Sequence, residues 1–213
     1  MSLLTDRTYL QQHQYKTSNN LNARIEVHRR FSTNPYGFPR WAFEQIPFGP
    51  SQRVLEVGGG PGSLWRENLD RLPTDLQACL SDLSIGMVKE ARVAINAAYP
   101  FAVLDAQMLP FSAAGFDLVI ANHMLYHLPD LARGLREIAR VLKPGGTLYA
   151  ATNGVQHLRE VHALIVEFDP AYTGRTDLQL SFRLENATDH LRPHFAQIEV
   201  RVYEDSLWVT EAT

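Results

Sequence analysis

At 213 residues the chain is long enough for one large domain with a sizeable core. Its 45% hydrophobic and 20% charged content is that of a soluble globular protein, and a net charge of −3 gives no basic field for nucleic acid or an anionic membrane. Cys79 has no second cysteine to pair with, no run reaches the roughly 18 apolar residues of a membrane span, and no signal-peptide core opens the chain, so a cytoplasmic protein is expected.

Residues 1–16 are polar. An amphipathic helix is predicted over 21–31, capped by Asn19 or Asn20, with Leu21, Ile25 and His28 on one stripe and Arg24, Arg29 and Arg30 on other faces. After a turn at 34–37, Pro39 suits the first turn of a short helix carrying Trp41, Ala42, Phe43 and Ile46. The first strand is predicted over 53–57. A glycine-rich turn and a helix follow, the helix with Trp65, Leu69 and Leu72 at helical spacing and Gly62 or Ser63 as its cap. Strands are then expected over 77–82, 101–104, 116–121 and 147–151. They alternate with a helix capped by Ser84, burying Ile85, Val88, Ile95 and Ala98, and a helix capped by Asp130, burying Leu131, Leu135, Ile138 and Leu142. Repeated βα units imply an α/β, Rossmann-like doubly wound fold. Its sheet is mainly parallel with helices on both faces, and ligands bind at the strands' carboxyl ends. Beyond Thr152 the pattern predicts a helix over 155–168, a loop over 171–179, a short helix over 184–190 and an antiparallel hairpin of 198–203 with 207–209. The division expected is an N-terminal helical extension, 1–50, and an α/β domain, 51–213.

The residues that carry chemistry fall at the predicted strand ends. Four glycines stand between Gly58 and Gly62, which permits backbone angles and close approaches that a Cβ blocks. A tight connection with no ligand is the plainer reading, but such a turn seldom needs so many glycines. Glu56 closes the first strand and Asp82 the second, about 20 residues after the turn, where an acid reaches a ribose diol. Asp105 closes the third, and Asn122 and His123 the fourth. Asp82 read singly is also a helix cap, and Asp105 a loop acid. Two ligands fit a glycine turn with a downstream acid: a dinucleotide or S-adenosylmethionine. Gly58-Gly59-Gly60-Pro61-Gly62-Ser63 departs from the dinucleotide spacing G-x-G-x-x-G, and no G-K-[ST] follows for a P-loop.

Glu56-Val57-Gly58-Gly59-Gly60-Pro61-Gly62 resembles motif I of the class I S-adenosylmethionine-dependent methyltransferases. Ser81 to Met87, Asp105 to Phe111, Phe116 to His123 and Leu142 to Leu148 resemble four further motifs of that family in register, over about Arg53 to Thr152. The small-molecule branch related to ubiquinone/menaquinone biosynthesis is the most similar. The resemblance implies S-adenosylmethionine as cofactor and S-adenosylhomocysteine as product. It implies that Gly58, Gly59, Gly60 and Gly62 admit the methionine moiety and that Glu56 orients it. Asp82 would hold the ribose hydroxyls, Leu83 and Met87 would flank the adenine, and Asp105, Ala106 and Gln107 would meet its edge. Asn122 and His123 would lie near the sulfonium. A further helix and last strand usual in the family are not seen, so an incomplete C-terminal end is expected.

The reaction implied is methyl transfer to a small-molecule acceptor. A methyltransferase-like cofactor-binding protein without turnover is the alternative, and a nicotinamide-dependent oxidoreductase a remote one. For a hydroxyl acceptor, His123 and His127 are the candidate bases; packing at the loop mouth is their other reading. Their His-x-x-x-His spacing lacks the zincin glutamate, so no metal is expected. His157 and His162 are placed on a surface helix without a role. Tyr15, Arg24, His28 and Tyr36 are candidates for a substrate pocket under an N-terminal lid; a plain packing helix pair is the alternative. No nucleic-acid or membrane partner is expected, and the protein is taken as a monomer or homodimer.

Overall fold

A computed structural model describes residues 5–171 and 180–210. The apolar runs form five strands, β1 (Arg53–Glu56), β2 (Gln77–Asp82), β3 (Phe101–Val103), β4 (Phe116–Asn122) and β5 (Leu142–Ala151). All pair in parallel, in the order β3-β2-β1-β4-β5. The order reverses beside β1, which places a ligand crevice at the carboxyl ends of β1 and β4.

Alternate residues of the central strands feed two cores. Leu55, Val57, Val119 and Ala121 pack on one face with Leu135 and Ile138 of α6 (Leu131–Val141). Val54, Leu118 and Ile120 pack on the other with Trp65 and with Ala42 and Phe43 of α3 (Phe38–Glu44). Val54 and Leu55 are both fully buried, which is why β1 reads as continuously apolar rather than alternating. The caps follow the sequence: Ser84 Oγ accepts from Met87 N at the start of α5 (Ile85–Ala94), and Asp130 Oδ1 from Arg133 N at the start of α6.

Several predicted elements change. The helix after the glycine turn stops early: α4 is only Ser63–Arg66, then a 3-10 turn covers Leu69–Arg71, and Leu69 is exposed. Buried Asn68 ends it by donating its side-chain amide to Leu64 O at 2.7 Å and Pro39 O at 3.2 Å, competing with the helical backbone. On α5 the inward residues are Met87, Val88 and Ala91, with Ile95 buried at its C-cap; Ile85 is exposed, and so is Ala98, because the helix ends at Ala94. β5 begins before the predicted Thr147, at Leu142 opposite Phe116; a register shift between Phe116 and Leu118 absorbs Pro144–Gly146.

At the N-terminus, α1 (Arg7–Tyr9) runs into a π turn, Leu10–Gln14, and α2 covers Asn19–Phe31 behind Ser18. α7 (Arg159–Phe168) starts later than its apolar pattern because Leu158 takes left-handed backbone with φ of 53°. α8 is Ala187–Leu191. The loop predicted over 171–179 lies, beyond Ala171, outside the described residues. The predicted C-terminal hairpin does not form. Leu207 instead bridges Ser32, and Asp205 accepts from Ser32 Oγ at 2.6 Å and Asn34 N at 3.0 Å, which draws the segment onto the α2–α3 turn. No described helix is long and apolar enough to cross a membrane.

Candidate active site

β1 delivers Glu56 to the rim, and the chain then turns through Gly58 and Gly60 at φ of 66° and 56°. A Cβ on Gly58 would lie 2.6 Å from the Cβ of Met124, so the turn needs bare backbone there for packing. On Gly60 it would meet only Leu21 Cδ2, at 3.5 Å, so that backbone faces open space. Gly59 N donates to Ser81 O at 3.0 Å, tying the turn to β2, and Gly62 forms the left-handed cap of α4.

Two carboxyls flank this turn. Glu56 is 2% exposed, and Trp65 Nε1 donates to its Oε2 at 2.7 Å. Burial pushes its carboxyl up to about 8, against the opposing indole bond and with some help from Asp82. Asp82 Oδ2 accepts from Gly60 N at 2.9 Å and Oδ1 from Ser84 N at 2.8 Å. Burial raises its pKa, and the Ser84 and Gly60 N–H groups oppose the rise. The Leu83 N–H also bonds this carboxylate, so about one of its four acceptor positions stays spare. A small cavity between the turn and β2 is lined by Glu56, Gly59, Gly60, Ser81, Asp82 and Val88, among others. Bare backbone at Gly60 and two acids with spare acceptor capacity fit a cationic amino acid joined to a ribose diol.

The neighbouring loops complete the rim. Asp105 Oδ1 accepts from Gln107 N at 2.9 Å and Nε2 at 3.2 Å, while Gln107 Oε1 accepts from Asp130 N at 2.9 Å. This knot buries Ala106 and Gln107. Leu83 is half-buried after β2, and Met87 lies 1% exposed in the inner stripe of α5. Asn122 ends β4. His123, at φ of 54°, sets its ring edge against Phe38 with centroids 5.0 Å apart, beside Trp41 and Tyr203. His127 ends a 3-10 turn (Leu125–His127), and its Nε2 is 2.9 Å from the Tyr15 hydroxyl.

Tyr15 reaches His127 because the N-terminal segment lies along the strand ends. Arg7 pairs with Asp105 at 3.1 Å, Gln11 Nε2 donates to Leu83 O at 3.0 Å, and Ser84 Oγ donates to Tyr15 O at 2.6 Å. Ser18 N donates to Glu90 Oε1 at 3.0 Å. Arg24 Nη2 donates to Tyr15 Oη at 3.4 Å, and His28 stacks on His157. The structure thus brings Tyr15, Arg24 and His127 together. His28 sits further along α2, and Tyr36 lies apart, its hydroxyl bonded to Glu44 and Arg71. Sequence reasoning missed Arg7, Gln11, Trp65 as the partner of Glu56 and Ser84 as the link to Tyr15, and it placed on a surface helix His157, which lies in the turn before α7 and stacks on His28. Only Trp65 left a signal, an indole donor three residues beyond Gly62 in reach of a buried acid. Among the described residues no cluster of three His, Cys, Asp or Glu is placed to hold a metal ion.

The profile of the methyltransferase domain family matches residues 55–150. The chain is 34% identical over 102 residues to the ubiquinone/menaquinone biosynthesis C-methyltransferase UbiE of Laribacter hongkongensis, covering 46% of this chain and 42% of that protein. It is 33% identical over 112 residues to the malonyl-[acyl-carrier protein] O-methyltransferase of Legionella pneumophila, covering 52% and 39%. The matches therefore span about two-fifths of these relatives' length. Among solved structures, phosphoethanolamine N-methyltransferase 2 of Haemonchus contortus, in complex with phosphomonomethylethanolamine and S-adenosylhomocysteine, superposes with a TM-score of 0.64 at 25% identity, over 91% of this chain and 44% of that one. Residues 55–150 match a methyltransferase domain, and over that segment the chain is distantly related to the class I S-adenosylmethionine-dependent methyltransferases.

Proposed function

We propose that the protein transfers the methyl group of S-adenosylmethionine to a small-molecule acceptor bound beneath its N-terminal segment. The observation that carries this reading is the pair of acids, buried Glu56 and half-buried Asp82, on either side of a bare-backbone turn at the carboxyl ends of β1 and β2. Gly58, Gly59, Gly60 and Gly62 admit the amino-acid end, where Glu56 receives its ammonium. Asp82 accepts from the ribose diol while Gly60 N and Ser84 N hold its orientation. Leu83, Met87, Asp105, Ala106 and Gln107 border the adenine, and Asn122 and His123 border the sulfonium. The bound cofactor supplies an already activated methyl group, so this chain has to align the nucleophile, exclude water and take a proton.

The proton falls to His127, with Tyr15 between it and the acceptor. With its own hydrogen on Nδ1, His127 accepts the Tyr15 O–H on Nε2, and Tyr15 Oη is then placed to accept from the nucleophile. Residues 7–18 act as the lid, since the contact that completes this pair also lays them over Leu83 and Asp105. The test is labelled-methyl transfer from S-adenosylmethionine across hydroxyl, amine and carbon nucleophiles, alongside calorimetry of S-adenosylhomocysteine. Tyr15→Phe and His127→Ala are expected to lower kcat by about 10² or more while cofactor affinity stays within about twofold. Cofactor binding with no acceptor methylated would mark a binding protein without turnover. A chain that binds neither cofactor form overturns the reading.

A further inference from the structure

On the basis of that reading, we infer that the acceptor carries an anionic group, a carboxylate or a phosphomonoester, received by Arg24 together with the His28–His157 pair. α2 lies across the rim of the sheet. Near its start, Leu21 Cδ2 sits 3.5 Å from where a Cβ on Gly60 would be, above the end of β1. In its middle, Arg24 reaches the Tyr15 hydroxyl at 3.4 Å, beside the loop after β4. Towards its end, the His28 ring lies parallel to that of His157, in the loop after β5, with centroids 5.8 Å apart and planes 3° apart. Arg24, expected from the sequence on another face, stands at the exposed edge of the Leu21, Ile25 and His28 stripe, so positions 21, 24, 25 and 28 share one side of the helix. That face therefore borders the space above the proposed transfer site.

Its charge is one-sided. Arg24 and His28 stand on it with no acid between them. The acid of the same helix, Glu26, is clamped by Arg29 with Nε–Oε2 at 2.7 Å. Among the described residues Arg24 forms no ion pair, and its bond to Tyr15 engages one of five guanidinium donors. Burial lowers the pKa of His28 and the charge of Asp205 only opposes this, so Arg24 carries the charge of the face while His28 offers a ring N–H; Asp205 itself is already bonded to Ser32, Asn34 and Ser206. A guanidinium without a carboxylate, next to the pair that takes the nucleophile's proton, matches the geometry of a planar or tetrahedral oxyanion. Leu21 and Ile25 alone offer little surface to a wholly apolar acceptor.

The test titrates S-adenosylhomocysteine-loaded full-length protein by calorimetry with inorganic phosphate and, separately, with malonate. Saturable binding of phosphate alone assigns a phosphomonoester, and of malonate alone a carboxylate; either supports the inference. Arg24→Ala should weaken that binding at least about tenfold, Arg24→Lys less, and Arg30→Ala, on another face, not at all. Wild-type protein that binds neither anion below about 20 mM, or binding that survives Arg24→Ala unchanged, overturns it. Failure of S-adenosylhomocysteine to bind at the outset instead removes the methyltransferase reading on which it rests.

Discussion

Two glycines two residues apart, Gly58 and Gly60, do different work, and the difference is measurable. Both take positive φ, which costs an alanine about 1–2 kcal/mol. At Gly58 the added Cβ also meets the Met124 Cβ, an atom fixed to the backbone after β4 rather than the end of a flexible chain. Gly58→Ala should therefore lose about 2–4 kcal/mol of stability, read as a lowered denaturation midpoint. At Gly60 the only neighbour is Leu21 Cδ2 at 3.5 Å, so Gly60→Ala should lose no more than about 1–2 kcal/mol. Its Cβ would instead stand where the proposed cofactor approaches the turn. Calorimetry of S-adenosylhomocysteine should then show affinity falling at least about tenfold in Gly60→Ala. Equal stability loss in both variants with affinity unchanged in Gly60→Ala would remove the distinction.

The N-terminal segment is held by polar contacts between residues far apart in sequence, and one position on α5 controls its docking. Gly86 has no Cβ, and one placed there would run into the Lys16 carbonyl. Gly86→Ala favours the helix by about 1 kcal/mol while pushing residue 16 off it. The expected outcome is a domain of unchanged or raised stability whose first 18 residues are cut faster by protease, with lower kcat; unchanged cleavage would show that the segment tolerates the methyl group. This docking was illegible in the sequence for a physical reason. Gln11 to Leu83 O, Ser84 to Tyr15 O and Ser18 N to Glu90 pair a side chain with a backbone group and leave no periodicity. The sheet was legible because burial on both faces imposes unbroken apolar runs, and the glycine turn because positive φ selects glycine. The hairpin expected from Val200 and Val202 failed because alternation marks a strand only where a partner edge is offered. Here both valines are exposed, and Asp205 is drawn to Asn34 instead.

For the whole molecule, Glu56 couples folding, proton binding and ligand binding. Its carboxyl is held near 8 against an ordinary 4.5, chiefly because it is buried. The folded state thus binds this proton more tightly than the unfolded one. Its share of stability is complete below about 4.5 and is lost as pH rises through about 8, by at most about 5 kcal/mol. Asp82, also raised, acts in the same direction. Glu56→Gln keeps an acceptor for Trp65 and has no proton to lose. It should match the wild type in melting temperature near pH 5 and exceed it near pH 9. The ligand reverses this preference, since an ammonium group favours the ionised carboxylate. Wild-type affinity for S-adenosylhomocysteine should rise by up to about tenfold per pH unit from pH 6 and level off near 8, with a proton released on binding. Glu56→Gln should bind more weakly with a flatter profile. Calorimetry in two buffers of different ionisation enthalpy reads both the affinity and the proton. A wild-type profile that is flat with pH, without proton release, would mean that Glu56 does not meet the ligand's ammonium, and the amino-acid end would then have to sit elsewhere on the rim.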